Sequence, residues 1–271
     1  MHPEVAPVTA IAAAMQRELG DAPPVAIVLG SGLGGVVDRV SIRSQVPSST
    51  LGLPQSTVSG HAGRLLVGTL GGTDVAVLSG RVHLYEGYSP SEVVRYVRAL
   101  HRWGVKKLLL TCSAGGMTEG MTPGTLVVIT DHINLQGCSP LTGPQWGPER
   151  FPDMGTAYNP AMRADLHAAA KSLGVSLSEG VYVAMMGPAY ETPAEIGYAR
   201  TIGGDLVGMS TVPEVLTAVE AGFTCAALSV VSNLAAGMSG EPLTHEEVSE
   251  IAGRVGSQVA DLFEKVVQSW G

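Results

Sequence analysis

Short apolar runs alternate with longer amphipathic stretches along the chain, the pattern of an α/β protein whose sheet carries helices on its faces. Runs of strand length fall at Val25–Leu29, Leu65–Leu70, Val75–Leu78, Lys107–Thr111, Leu126–Thr130, Val181–Met186 and Cys225–Val231. Helical spacing covers Pro7–Leu19, Ser91–Trp103, Ala161–Leu173, Ala194–Ile202, Val212–Ala221 and His245–Ser269. In the last of these, Val248, Ile251, Val255, Val259, Leu262 and Val266 recur at three- and four-residue steps, which puts one apolar stripe on a helix. Pro90 and Gly174 stand where a helix start and a helix end favour them. Two stretches show no period. Gln45–Gly63 is polar and ends in Gly-His-Ala-Gly, and Asn134–Ala157 carries Pro140, Pro144, Pro148 and Pro152. Loops of that length inside a compact domain usually serve a site or an interface. No linker, charge run or internal repeat divides the chain, so residues 1–271 read as a single domain.

Composition narrows the function. Apolar residues make up 45 % of the chain, ample for a core, and charged residues only 15 %. The formal net charge is −8, so the chain lacks the basic footprint of a nucleic-acid binder, and any anion must be held by a few local cations and backbone N–H groups. Cys112, Cys138 and Cys225 are odd in number and far apart, which argues against a disulfide framework and a zinc site. The N-terminus lacks the basic start of a signal peptide, and no apolar run reaches bilayer-spanning length. The expectation is a cytoplasmic protein with neither nucleic acid nor membrane as partner.

Gly30-Ser31-Gly32-Leu33-Gly34-Gly35 follows the first strand and formally satisfies the dinucleotide-binding pattern. That pattern also needs an acid about 20 residues on for a ribose hydroxyl. Between Asp38 and Asp74 there is no Asp or Glu, so an NAD-dependent oxidoreductase is disfavoured. A strand ending in a glycine loop still offers N–H groups and the Ser31 hydroxyl to an anion. In Gly80–Tyr88, Arg81 and His83 lie two apart, so an extended segment projects both to one face, with Tyr85 continuing it. An Arg fork beside an imidazole is a good oxyanion clamp.

The motifs Gly30–Gly34, Gly60-His61-Ala62-Gly63, Gly80–Tyr88, Ser113-Ala114-Gly115-Gly116, Gly187–Thr192, Gly208–Glu214, Ser232–Gly237 and His245–Val248 are individually short. In this order, along nearly the whole chain, they resemble the trimeric, low-molecular-mass purine nucleoside phosphorylases. The resemblance implies the nucleoside phosphorylase fold, a central mixed β-sheet, partly barrel-like, flanked by helices. It implies cleavage of a 6-oxopurine nucleoside by inorganic phosphate, giving free base and α-(deoxy)ribose 1-phosphate, with phosphate as co-substrate and no cofactor or metal. Phosphate would be held by Ser31, Arg81, His83, Ser210 and the N–H of Ser113, with His61 closing over it. The ribose would meet Tyr85, Met209 and His245. The base would lie against Tyr190 and Val207, with Glu191 and Asn233 on its edge. Phe151 would cover the ribose of a neighbouring subunit in a homotrimer. Asn233, Glu191 and His83 would carry the catalysis.

The residue types suit that reaction. Glycosidases need two carboxylates around an oxocarbenium-like transition state, whereas an attacking phosphate makes the second unnecessary. The protein then has to position the anion and stabilise charge on the departing purine, a task the Asn233 amide suits. Methylthioadenosine phosphorylases are similar in fold but generally carry Asp at the position of Asn233 and lack the counterpart of His245, so adenosine or methylthioadenosine phosphorolysis is the alternative. The family usually reads Thr-Asn-Ala-Ala-Gly-Gly where this chain has Thr111-Cys112-Ser113-Ala114-Gly115-Gly116. A catalytically impaired nucleoside-binding protein is therefore a further alternative. Cys112 reads as a small buried apolar residue, Glu86 as a support for Arg81 or a solvated turn residue, and Glu214 as a structural or supporting acid.

Overall fold

The computed structural model describes residues 2–58, 63–147, 149–238, 250–251 and 253–271. Helix α1 (Val5–Leu19) leads into β1 (Val25–Leu29), whose five residues are all buried. Ala26 and Val28 face one side and Val25, Ile27 and Leu29 the other, each set joining a different apolar cluster, as expected of a central strand covered on both faces. β1 lies parallel to β4 (Thr73–Ser79) on one side and to β5 (Lys107–Gly116) on the other. Beyond β4, β3 (Arg64–Leu70) and β2 (Ser41–Pro47) extend the sheet antiparallel to its edge.

On the far side of β5 the sheet closes. β8 (Leu206–Gly208), β7 (Ser178–Ala184), β6 (Leu126–Asn134) and β9 (Thr224–Leu234) follow in spatial order, and β9 pairs back onto β5. Five strands thus form a closed barrel with an open wing, the mixed, partly barrel-like sheet expected. α1, α3 (Arg95–Trp103) and α6 (Val212–Ala221) cover one face. α4 (Pro160–Leu173) and α7 (Gly256–Val267) cover the other. Two further helices, α2 (Pro90–Val93) and α5 (Pro193–Thr201), both begin at capping boxes built by Ser89 with Glu92 and Thr192 with Glu195. Among the described residues, no helix is long and apolar enough to cross a membrane.

Several boundaries differ from the expectations, each for a local reason. The helix expected over Ser91–Trp103 is two, separated at Val94. Lys107–Thr111 is the first half of a ten-residue strand whose second half, Cys112–Gly116, is too glycine-rich to read as β. The strand expected to run to Met186 stops at Ala184, and Met186 is exposed. β2 opens the supposed loop at Gln45 and is an exposed edge strand with no apolar run to reveal it. β8, at three residues, is too short to show a period. The last helix is seen at Gly256–Val267, and the start expected at His245 lies outside the described residues.

Candidate active site

The ends of β1, β4, β5, β8 and β9 surround a cleft of about 110 Å³. β1 and β5 meet here without room for a side chain. A Cβ on Gly30 would sit 2.9 Å from both Cys112 Cα and Thr111 O. Gly30 N donates to Thr111 Oγ1, which donates on to Val28 O, both at 2.8 Å. The glycine loop then enters a 3-10 turn, Gly34–Arg39, instead of the α-helix a dinucleotide site would require. Ser31 and Ser113 face the cleft together, with Ser113 Oγ donating to Ser31 O at 3.2 Å.

Arg81 follows β4 and is the buried cation of the site. Its Nε lies 2.8 Å from Glu214 Oε1, Nη1 donates to Thr111 O at 2.7 Å, and Nη2 donates to Ser210 Oγ at 2.8 Å. Burial opposes its charge most, but the Glu214 carboxylate together with Tyr96, Cys112 and Tyr182 outweighs it and holds the guanidinium above its usual pKa. Ser210 is placed by strain. Thr211 has φ 67° and ψ −47°, and Val212 N donates to Ser210 O at 2.7 Å, closing a γ-turn that costs about 1–3 kcal/mol. Ser210 N donates to the buried Tyr182 hydroxyl at 3.2 Å, and a Cβ on Gly208 would collide with that hydroxyl.

His83 stacks on Tyr85 with ring centroids 4.8 Å apart and planes 8° from parallel. The segment is extended only as far as His83, because Leu84–Glu86 is a 3-10 turn. Tyr85 therefore reaches the cleft by stacking instead of by strand alternation. Glu86 supports His83, not Arg81, and it is not a solvated turn residue. Its Oε1 accepts from His83 N at 2.8 Å and lies 3.0 Å from His83 Nδ1. Its Oε2 accepts from Thr57 N at 2.7 Å and from the Ser56 and Thr57 hydroxyls at 3.0 Å. Burial works against this carboxylate, yet the Thr57 and His83 donors bring its pKa below the usual value. Burial and Glu86 together push the Tyr85 phenol up to about 12, so it stays a neutral donor.

At the other end of the cleft lie Tyr190, Glu191, Val207 and Asn233. Asn233 faces Gly115 across a bulge in the β5–β9 ladder, a device that re-aims a side chain. Its Oδ1 accepts from Ser232 Oγ at 2.7 Å and its Nδ2 donates to Leu234 O at 3.0 Å, which fixes the amide plane. An amide has two N–H donors and two oxygen lone pairs, so one of each remains for a ligand. Glu191 has a buried Oε1 with no hydrogen-bond partner among the described residues. Burial, reinforced by Glu195, raises its pKa above the usual value.

The cleft thus brings together Ser31, Arg81, His83, Tyr85, Ser113, Tyr190, Glu191, Val207, Met209, Ser210 and Asn233. His61 and His245 lie outside the described residues. Phe151 does not line this cleft and is 89 % exposed. Cys112 is buried, as expected, and also lines the cleft, where burial pushes its thiol up. Sequence reasoning did not find Thr111 or Tyr182 as supports, since nothing local marks contacts made 81 and 28 residues away, nor Thr211, whose positive φ is unexpected for a β-branched residue.

The cleft lies in a fold that this chain shares with known proteins. Residues 24–268 match the phosphorylase superfamily, and the chain belongs to that family. It is 44 % identical over 258 residues to purine nucleoside phosphorylase 1 of Geobacillus stearothermophilus, covering 94 % of each chain. It is 43 % identical to the purine nucleoside phosphorylase of Mycobacterium tuberculosis over 88 % of each. The Schistosoma mansoni purine nucleoside phosphorylase solved with inosine superposes with a TM-score of 0.90 at 34 % identity, covering 97 % of this chain and 96 % of that one. A schistosome enzyme solved with hypoxanthine gives 0.91 at 35 %, over 97 % of both.

Proposed function

We propose that this chain is a purine nucleoside phosphorylase that cleaves inosine and guanosine, as ribo- or deoxyribonucleosides, with inorganic phosphate. The observation that carries the reading is one cleft with anion donors at one end and a carboxyl–amide pair at the other. Phosphate meets Ser31, Arg81, His83, Ser210 and the Ser113 N–H, with His61 closing over it. Its oxygen attacks C1′ of the sugar. The C1′–N9 bond breaks, and its electron pair passes to the purine, whose N7 bonds to the Asn233 amide. Tyr85, Met209 and His245 hold the ribose, and Tyr190 and Val207 flank the base. Glu191 accepts from the N1–H that 6-oxopurines have and adenine lacks, so adenosine is the poorer substrate.

No cofactor takes part. The exposed Phe151 completes the site of a neighbouring copy in a homotrimer, whose mass in an ultracentrifuge would be three times 27.9 kDa. The whole chain acts as one domain in the cytoplasm. Incubating the protein with inosine, with and without phosphate, and separating the bases chromatographically tests the reaction. Hypoxanthine should appear only with phosphate, and adenosine should stay nearly inert. Cleavage without phosphate would make the protein a hydrolase, and binding without cleavage a nucleoside-binding protein.

A further inference from the structure

Glu214 is fully buried in the first turn of α6, its side chain 1 % exposed, against an Arg81 side chain that is 2 % exposed. One oxygen, Oε1, serves Arg81 Nε at 2.8 Å and accepts from the Tyr96 hydroxyl of α3 at 3.3 Å. The other, Oε2, is buried with no hydrogen-bond partner among the described residues. A buried ion pair is weak evidence for stability, because well-packed apolar residues of similar volume often do as well. What this pair does achieve is directional. The Glu214 charge draws Nε to 2.8 Å as an ion pair without a hydrogen bond, Nη1 donates to the Thr111 carbonyl, and Nη2 thereby lands on Ser210 Oγ at the cleft wall. Glu214 lies in the helix that directly follows Ser210 and the strained Thr211, so the start of one helix places both the Arg81 partner and Ser210.

We infer that Glu214 is a positioning residue for phosphate, acting through Arg81 and not by touching substrate. This rests on the phosphorolytic reading above. Glu214→Gln keeps the shape and removes the charge that orients Nε. Its phosphate KM should rise at least tenfold, while inosine KM and kcat at saturating phosphate change less than threefold. Glu214→Asp should recover part of the loss. Tyr96→Phe, which removes a single neutral bond to the same oxygen, should raise phosphate KM two- to fivefold, and it carries the test with Glu214→Asp if the Gln variant does not fold. Phosphate KM within twofold of wild type in the folded variants, with only a lower thermal midpoint, would overturn the assignment and leave a purely structural pair. The wild-type arm separates the two ideas: phosphate-independent cleavage there defeats the phosphorolytic reading itself.

Discussion

Replacing Glu191 tests how the site recognises its base. Its buried Oε1 lacks a partner among the described residues, and burial raises its pKa, so a ligand N–H would meet a poorly solvated acceptor. A hydrogen bond to a charged group is worth about 1.5–3 kcal/mol. Glu191→Ala should therefore lower kcat/KM for inosine by about 10- to 150-fold, at about 1.4 kcal/mol per decade. Glu191→Gln keeps a neutral acceptor worth about 0.5–1.5 kcal/mol, so its loss should be only about 5- to 10-fold. Adenosine has no N1–H to lose and should change less than about twofold on the same reasoning. Initial rates of base release by chromatography, for both nucleosides and both variants, measure the ratio. An equal fall for inosine and adenosine would refute the bond. The carboxylate is the accepting form and its pKa lies above the ordinary value, so wild-type kcat/KM should decline on the acid side earlier than an ordinary glutamate would dictate. Glu191→Gln should lack that limb. Stability runs the other way, since the folded chain binds this proton more tightly than the unfolded one. The ligand-free protein gains stability as pH falls through the Glu191 pKa.

Three further outcomes follow from other contacts. Asn233→Ala should lower kcat about 10²- to 10³-fold with little change in inosine KM, and a change confined to KM would refute its transition-state role. Glu86 has the opposite linkage to Glu191: its pKa is depressed, so its stabilisation is present above the unfolded value and is lost as pH falls through the folded one. Thermal melts of Glu86→Gln should show less acid destabilisation than wild type, and its phosphate KM should rise as His83 loses its support. Gly30→Ala forces a Cβ to 2.9 Å from the β5 backbone, where no side chain can yield, and should cost about 1–3 kcal/mol in a denaturant titration. An unchanged midpoint would mean that β1 and β5 can part without loss.

The sequence alone determined what lies in local pattern. Strand β1 and helix α6 stand where an unbroken apolar run and a helical spacing place them, because the faces each element buries impose those patterns. It also determined the family, through short motifs whose residue types suit anion and base recognition. Tertiary structure decided the rest. β2 and β8 exist because a neighbouring strand satisfies their backbone groups, and an exposed edge and a three-residue strand leave no hydrophobic trace. The barrel closes through the β5–β9 pairing, which joins residues more than a hundred positions apart. Glu86 serves His83 along with Ser56 and Thr57, and Glu214 serves Arg81 along with Tyr96, because folding brings particular partners to each carboxylate out of the many that the sequence offers. A motif names the groups that can form a charged hydrogen bond. Only the packed chain, where distance and burial set each interaction's strength, selects the pairs that do.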